Sequence, residues 1–268
     1  MRRIFPPVDD VAHVAELARD LTADGPAPSD VGDEELAHLY GYPSDRLWVR
    51  ANMVGSLDGV ATVQGVAEGL SSEPDRRVFR LLRALCDVVL VGAGTVRAEG
   101  YREPRVAERY AGLREANGQA PVPPVAVISR SLDLDVESEL FAQERTRTIV
   151  LTCADAPGDR RARLAEVADL VDCGESTVSP SLALEALARR GLTRVLCEGG
   201  PSLLHELVAA ELLDELCLTL SPLLAGGGEA HVLRGGPFPT PHGLQLSSIL
   251  EEDGVLLTRY LRPGAARG

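Results

Sequence analysis

Short apolar runs alternate with amphipathic stretches along most of the chain. The runs LWVRANMVGS, DVVLVG, PVAVI, TIVLT, ADLVDC and RVLC are rich in β-branched residues and predict strands. Apolar positions at helical spacing predict helices near residues 73–85, 158–168, 180–190 and 201–210. After residue 210 strand-like segments follow one another, and the last two form a hairpin through EEDG. This order predicts an α/β fold with three layers, α/β/α, and a mostly parallel central sheet with antiparallel C-terminal strands.

The first 46 residues carry helical patterns only. Apolar positions in residues 9–22 and 33–40 have helical spacing, and residues 23–31 between them have the composition of a loop. We therefore predict a helical extension over residues 1–46 that packs on a single domain formed by residues 47–268. The sequence of that domain shows no internal repeat and no linker.

The composition favours a globular protein with a small-molecule ligand. The formal net charge of -13 disfavours nucleic acid and anionic membranes as partners, although local donors can still bind a small phosphorylated ligand. No apolar run has the length of a membrane span, and residues 1–7 lack the apolar core of a secretory signal. The 5 cysteines include no C-x-x-C pair, and the 5 histidines lack metal-ligand spacing. We expect reduced thiols, no metal and a cytoplasmic location.

Polar turns follow four of the predicted strands, with the sequences SLDG, GAGT, SRS and CEGG. Ligands of open α/β sheets bind at the carboxyl ends of the strands. In CEGGPSLL, two glycines leave the backbone accessible, and Pro201 begins a helix whose free N–H groups suit a phosphate. GAGT is a similar junction but a poor Rossmann fingerprint, because Arg97 stands where a third glycine or alanine is needed. Taken singly, each junction is equally well explained as a tight turn.

These motifs, in this order, resemble the reductase domain of the bifunctional riboflavin-pathway enzyme. The resemblance covers residues 47–262 and rests on SLDG, VGAGTVRAE and EGGPSLL, followed by DELCLTLSPLLAGG. The chain is most similar to the stand-alone pyrimidine reductases of that family, since the sequence contains neither the H-x-E nor the P-C-x-x-C motif of the deaminase. The resemblance implies a dihydrofolate reductase-like fold.

The resemblance also implies NADPH as the hydride donor. The implied cofactor-binding residues lie at three strand ends: Gly92, Gly94, Thr95 and Val96 at the first, Gly199, Gly200, Pro201, Ser202 and Leu203 at the second, and Ser129, Arg130 and Ser131 at the third. The third group lies where this fold usually reads the ribose 2′-phosphate, and an arginine between two hydroxyls suits a phosphate dianion. The alternative for Arg130 is a solvated loop arginine.

The implied catalytic residues are Asp58 and Glu198, and the implied substrate-binding residues are Asn52, Ser56, Asp58, Ser72 and Arg76. Asp58 is a candidate to orient the substrate or relay a proton, and the alternative is a turn-capping role. Glu198 is a candidate for contact with either ligand, and the alternative is a carboxylate stabilised by a helix dipole. Ser72 and Arg76 match a family position for the substrate phosphate, and they are equally well explained as a helix N-cap and a surface arginine.

Two departures from the family pattern bear on the substrate. Asn52 stands where the pathway enzyme usually has lysine, and Gly100 and Tyr101 follow Glu99 where the family pattern continues with aspartate and proline. The implied reaction reduces 5-amino-6-ribosylaminouracil 5′-phosphate at C1′ to the ribitylamino product, and a related pyrimidine or pteridine is the substrate if the pocket differs. The alternatives are a dihydrofolate-type reductase and a non-catalytic NADPH-binding protein. The strand-rich C-terminus favours a homodimer.

Overall fold

A mixed sheet organises the part of the chain that the structure describes. The structure is a computed structural model and describes residues 1–5, 31–142, 145–226 and 231–265. The strands are β1 (Arg2–Phe5), β2 (Trp48–Ser56), β3 (Val88–Gly92), β4 (Val125–Ile128), β5 (Thr148–Thr152), β6 (Ala168–Asp172), β7 (Arg194–Cys197), β8 (Glu215–Ser221), β9 (Gln245–Glu252) and β10 (Val255–Leu261). The helices are α1 (Asp33–Leu39), α2 (Glu73–Leu85), α3 (Ala93–Glu99), α4 (Ala111–Ala116), α5 (Gly158–Val167), α6 (Pro180–Ala188) and α7 (Pro201–Ala209).

The strands of this sheet lie in the order β1-β9-β10-β8-β2-β7-β3-β4-β5-β6. All pairings from β8 to β6 are parallel. Strand β10 pairs antiparallel with β8 and β9, and β9 pairs antiparallel with β1. The predicted fold class, mostly parallel with antiparallel C-terminal strands, is therefore confirmed, and β8 is the boundary between the two parts.

Helices cover both faces of the sheet, as the near-continuous apolar sequences of the parallel strands require. On one face, Leu90 of β3 packs in a cluster with Leu184 of α6 and Leu204 of α7. On the other face, the adjacent Val89 packs in a cluster with Leu81 of α2. Successive side chains of a strand point to opposite faces, so one apolar strand serves both layers.

The amino terminus differs from the sequence-based expectation. The helix predicted near residues 33–40 is confirmed as α1, whereas the one predicted for residues 9–22 lies outside the described residues. Residues 2–5 form a strand, which the sequence analysis does not predict, and Arg2 pairs opposite Glu251 of β9. The run RRIF is too short to show a periodicity, and its pairing depends on the open edge of a distant strand. The division at residue 46 stays a prediction.

A buried ion network joins the parallel and antiparallel parts of the sheet. Glu215, the first residue of β8, accepts hydrogen bonds from Arg50 on β2, Arg259 on β10 and the Trp48 Nε1 group. Burial by itself raises the pKa of Glu215, but the two guanidinium groups outweigh it and lower that pKa to about 2. The carboxylate thus stays ionised between two cations from the neighbouring strands.

All five cysteines are buried and unpaired, as expected for reduced structural thiols. Burial is the main reason why the pKa of Cys197 is raised to about 12, so this thiol is not a nucleophile at neutral pH. Among the described helices, none is both long and apolar enough to span a membrane. Within the described ranges, no group of three or more metal-binding side chains lies close enough together to hold a metal ion.

Candidate active site

A cavity of about 940 Å³ opens beside the carboxyl ends of β3 and β7. The elements that line it are the second half of β2, the outer face of α2, the chain around α3 and the end of β7. The lining residues include Asn52, Met53, Ser71, Arg76, Phe79, Arg80, Arg83, Thr95, Glu99, Tyr101, Arg105 and Glu198. The site therefore combines apolar and aromatic surface with charges of both signs, as small-molecule sites commonly do.

The two glycine junctions singled out in the sequence lie in contact. Strands β3 and β7 are parallel neighbours, and the Gly92 N–H donates to the Gly199 carbonyl at 2.9 Å. The Gly199–Gly200 peptide bond is cis, and Gly199 has a φ of +109°. A Cβ on Gly200 would lie 2.6 Å from Thr95 Oγ1, so only glycine fits here without movement of Thr95. The starts of α3 and α7 are thus held side by side.

The residues of these junctions differ in what they can offer a ligand. Gly94 and Ser202 are exposed, and a Cβ on Gly94 would meet nothing within 4 Å. Val96 and Leu203 are buried, so only their backbone is available to a ligand. The first N–H groups of α7 have no partner within the helix, which is the usual donor set for an anion.

The third group of predicted cofactor-binding residues, Ser129, Arg130 and Ser131, is only partly accessible. Residues 129–131 follow β4, the neighbour of β3 on the side away from β7. Arg130 and Ser131 are exposed, but Ser129 is 3% exposed and its hydroxyl is buried. The arginine therefore has one solvent-facing hydroxyl beside it rather than two.

Glu198 is fixed by two side chains that are not among the site residues predicted from the sequence. Arg83 Nε and Nη2 donate to its two carboxylate oxygens, each at 2.7 Å, and the Tyr101 hydroxyl donates to Oε2. Burial by itself lowers the pKa of Arg83, but Glu198 more than compensates and raises it. Burial and the Glu198 charge raise the pKa of Tyr101 well above its usual value. Glu198 is therefore an acceptor held by permanent donors.

Asp58 holds a turn and a loop. Its carboxylate accepts from Ser56 Oγ at 2.5 Å and from the Ala225 and Gly226 N–H groups at 3.1 and 2.7 Å. These hydrogen bonds, with Ser56 the largest contributor, lower the pKa of Asp58 to about 2. Ser56 is 1% exposed and also accepts from the Val60 N–H. These contacts fit the turn-capping alternative for Asp58, and they also tie the turn to the loop at Ala225 and Gly226.

Of the remaining substrate candidates, two line the cavity and Ser72 does not. Asn52 and Arg76 line the cavity. Ser72 occupies the N-cap position of α2 by backbone conformation, but its hydroxyl makes no capping hydrogen bond and is buried. The hydroxyl that faces the cavity is that of Ser71, which donates to Asp75.

Helix α2 contributes two cavity arginines, Arg80 and Arg83, that the sequence analysis missed beside its substrate candidate Arg76. Arg76, Arg80 and Arg83 are spaced at four and three residues, which places them on one helical face above the cavity. That periodicity is visible in DRRVFRLLRAL. It could have identified a cationic face opposite the apolar face of the same helix.

A family model described as the RibD C-terminal domain matches residues 47–255. The chain belongs to this family. The 2,5-diamino-6-ribosylamino-4(3H)-pyrimidinone 5′-phosphate reductase of Archaeoglobus fulgidus is 31% identical over 195 residues, covering 71% of this chain and 87% of that protein. The enzyme of the same name from Methanothermobacter thermautotrophicus is 30% identical over 192 residues, covering 71% of this chain and 85% of that protein.

Two solved structures share the fold of this chain. A pyrimidine reductase-like protein from Corynebacterium diphtheriae superposes with a TM-score of 0.77 at 25% identity, covering 86% of this chain and 98% of that chain. The riboflavin biosynthesis reductase Rib7 of Saccharomyces cerevisiae has a TM-score of 0.63 at 17% identity, covering 85% of this chain and 97% of that chain. At 17% identity, the second of these likenesses shows the fold alone.

Proposed function

We propose that this protein is an NADPH-dependent reductase of a ribosylaminopyrimidine 5′-phosphate in riboflavin biosynthesis. The observation that carries the proposal is the cavity, which places arginines and a fixed carboxylate beside two joined glycine junctions in a RibD-family chain. The substrate proposed from the sequence is 5-amino-6-ribosylaminouracil 5′-phosphate. The matched archaeal relatives are named for the 2,5-diaminopyrimidinone form, so both belong in the test.

The residues beside the cavity fit a phosphorylated dinucleotide. The free N–H groups at the start of α7, with exposed Ser202, suit its diphosphate, and exposed Gly94 lets the cofactor approach the α3 backbone. Exposed Arg130 at the next strand end suits a 2′-phosphate, which supports NADPH over NADH. When bound, NADPH would supply the hydride. The chain's own part is to orient the two ligands and exclude water.

The arginine face of α2 supports a phosphorylated substrate. Arg76 and Arg80 share the exposed Glu73 carboxylate, which lies on their own helix, and their guanidinium groups reach the cavity. Exposed arginines held by one flexible acid can exchange that partner for a phosphate. Asn52 also lines the cavity, and its amide suits the pyrimidine's amino and carbonyl groups.

The proton that completes the reduction is proposed to come from water. Asp58 is ionised at neutral pH because its pKa lies near 2. Both carboxylate oxygens of Glu198 accept hydrogen bonds, from the Arg83 guanidinium and the Tyr101 hydroxyl. Asp58 therefore does not suit the proton-donor role and instead holds its turn, whereas the contacts of Glu198 suit the positioning of cavity side chains.

The test is incubation of the purified protein with NADPH or NADH and each of three substrates, followed by product mass. The substrates are the uracil form, the 2,5-diaminopyrimidinone form and dihydrofolate. We expect NADPH to be oxidised with a ribosylaminopyrimidine, and deuterated NADPH to leave one deuterium at C1′ of a ribitylamino product. Turnover of dihydrofolate alone would identify the rival reductase. Tight NADPH binding without turnover of any substrate would identify a non-catalytic binding protein.

We further propose that the protein is a cytoplasmic homodimer. The exposed Leu57, Leu223 and Leu224 form apolar surface joined through the Leu57 N–H to Leu223 carbonyl hydrogen bond. Exposed leucines of this kind favour association. Sedimentation velocity over a range of micromolar concentrations tests the dimer, and a single monomeric species would contradict it.

A further inference from the structure

We infer that Tyr101 is a positioning residue for substrate binding: its hydroxyl fixes Glu198, and Glu198 in turn holds Arg83 with one guanidinium edge toward the cavity. The inference rests on the proposed function, because it assigns a role within the same cavity. Tyr101 departs from the family pattern, and its hydroxyl joins Arg83 on α2 to Glu198, the residue that follows β7.

The first step is the geometry of the Arg83–Glu198 pair. Arg83 Nε and Nη2 both donate to Glu198, so the guanidinium plane and the carboxylate plane are locked in a fork. The Arg83 guanidinium also lies 4.2 Å from the centre of the Phe79 ring, which supports one of its faces. The Arg83 guanidinium donates to Glu198 through Nε and Nη2, and it lies 5.9 Å from the centre of the Tyr101 ring. The Nη1 group takes no part in the fork with Glu198 and is the edge assigned to a ligand.

The second step is the accessibility of the pair. The Glu198 side chain is 2% exposed and that of Arg83 is 18% exposed, and both line the cavity. The carboxylate is thus almost wholly used within the protein, whereas part of the guanidinium is open. A ligand would meet mainly Arg83, held in place by Glu198 from behind.

The third step is the hydroxyl of Tyr101. Helix α3 ends at Glu99. The capping residue Gly100 has a φ of +60° and turns the chain back, so that the Tyr101 side chain packs against buried residues on the α2 side. The hydroxyl donates to Glu198 Oε2, the same oxygen that accepts from Arg83 Nη2. If Arg83 were its sole donor, the Glu198 carboxylate could rotate together with the guanidinium. The Tyr101 hydroxyl is a third donor, from a different part of the chain, and restricts this rotation. Tyr101 therefore sets the direction in which Nη1 points.

The matching test is Tyr101→Phe, with Tyr110→Phe as the control. Tyr110 is buried, whereas Tyr101 is half-buried; Tyr110 lies on the same connection but does not line the cavity. For Tyr101→Phe we expect the KM for the pyrimidine to rise roughly tenfold, because one hydrogen bond to a charged group is lost. We expect the KM for NADPH and the melting temperature to change little. Tyr110→Phe should leave both KM values at the wild-type level.

A double-mutant cycle with Glu198→Gln separates positioning from a general structural role. If Tyr101 acts through Glu198, Tyr101→Phe should have no further effect on pyrimidine affinity in the Glu198→Gln background. Equal effects in both backgrounds would overturn the inference, as would a Tyr101→Phe variant with unchanged pyrimidine KM. A loss of NADPH affinity equal to the loss of pyrimidine affinity would also overturn it, since it would indicate a general disturbance.

The wild-type assay tests the proposed function separately. If the wild type reduces dihydrofolate instead, the proposed function fails, and the same cycle is run by calorimetric titration of dihydrofolate. A specific, Glu198-dependent loss of its affinity in Tyr101→Phe would still support the positioning role. If the wild type binds none of the three substrates, both proposals are overturned.

Discussion

Single carboxylates in this protein differ in what they can do because their donors differ. Glu198 is held by side chains that also face the cavity, so its contacts reach the ligand site. Asp58 is held by the Ser56 hydroxyl and by two backbone N–H groups of a neighbouring loop, so its contacts join its own turn to that loop. Although the sequence makes both residues candidates on similar grounds, each following a strand beside a glycine, only their partners separate the roles.

Asp58→Asn tests whether Asp58 transfers a proton or holds a turn. Asparagine keeps one acceptor oxygen and removes the charge, so we expect the turnover number to stay within about threefold of wild type if the role is structural. A group that transfers the proton typically contributes about 10²-fold or more. Steady-state kinetics at saturating substrate distinguish the two, and a loss near 10²-fold would restore Asp58 as a catalytic residue.

Gly200→Asp tests the glycine junction as a cofactor site. The new Cβ would lie 2.6 Å from Thr95 Oγ1, and the carboxylate would add negative charge beside the start of α7. We expect NADPH binding to be lost, measured by calorimetry on protein shown to be folded by circular dichroism. Gly112→Asp is the control, because a Cβ at Gly112 would meet nothing within 4 Å and α4 lies away from the junction. Tight NADPH binding by folded Gly200→Asp protein would contradict the assignment.

At the scale of whole elements, the parallel strands and their helices could be predicted and the edge strand could not. The continuous apolar run Val88–Val91 predicts a strand that is covered on both faces. Arg2–Phe5 carries no such signal, since its pairing with β9 is decided by a partner about 250 residues away. Prediction of the cavity residues has the same limit. The junction glycines directly follow predicted strands and can be recognised in the sequence, whereas the position of Tyr101 depends on how the chain turns after α3.

Helix α2 carries the arginine face and is itself held at its carboxyl end by Arg114. This buried guanidinium donates to the carbonyls of Arg83, Ala84 and Cys86, and to Ala120. Carbonyls at the carboxyl end of a helix lack partners within the helix. A cation there also interacts favourably with the negative end of the helix dipole. Arg114 therefore connects the packing of α4 to the position of Arg83.

Arg114→Met is expected to lower the free energy of unfolding by about 2–3 kcal/mol, because several buried carbonyls lose a charged donor. Urea denaturation measures the loss, and hydrogen exchange should show faster opening of the last turn of α2. Arg109→Met is the control: Arg109 is exposed, so the expected change is within about 0.5 kcal/mol. Equal stability of the two variants would show that Arg114 does not hold α2.

Across the whole molecule, the antiparallel and parallel parts of the sheet depend on one ionised carboxylate. The pKa of Glu215 is about 2 in the folded protein, against about 4.3 in an unfolded chain. A lowered folded pKa contributes stability above the unfolded value, and that contribution is lost as the pH falls through the folded value.

We therefore expect stability to fall as the pH is lowered from about 5 to about 2, with Glu215 among the groups responsible. The free energy of unfolding, measured by denaturant titration at several pH values, should depend less steeply on pH in Glu215→Gln than in wild type. The variant should also be less stable at neutral pH by about 3–5 kcal/mol, because Arg50 and Arg259 lose their buried counter-charge. An unchanged pH slope would show that other carboxylates dominate.

The buried thiols give the molecule internal reporters of its own opening. Cys153 and Cys173 lie beyond the ends of β5 and β6, Cys197 ends β7, Cys217 lies within β8, and Cys86 follows α2. A thiol-specific reagent in native buffer can modify each one only when its surroundings open. The order in which the thiols are modified can be read by mass spectrometry of the labelled peptides. It would show which opens first: the sheet edge at β5 and β6, the glycine junction or the strand boundary at β8, without any engineered cysteine.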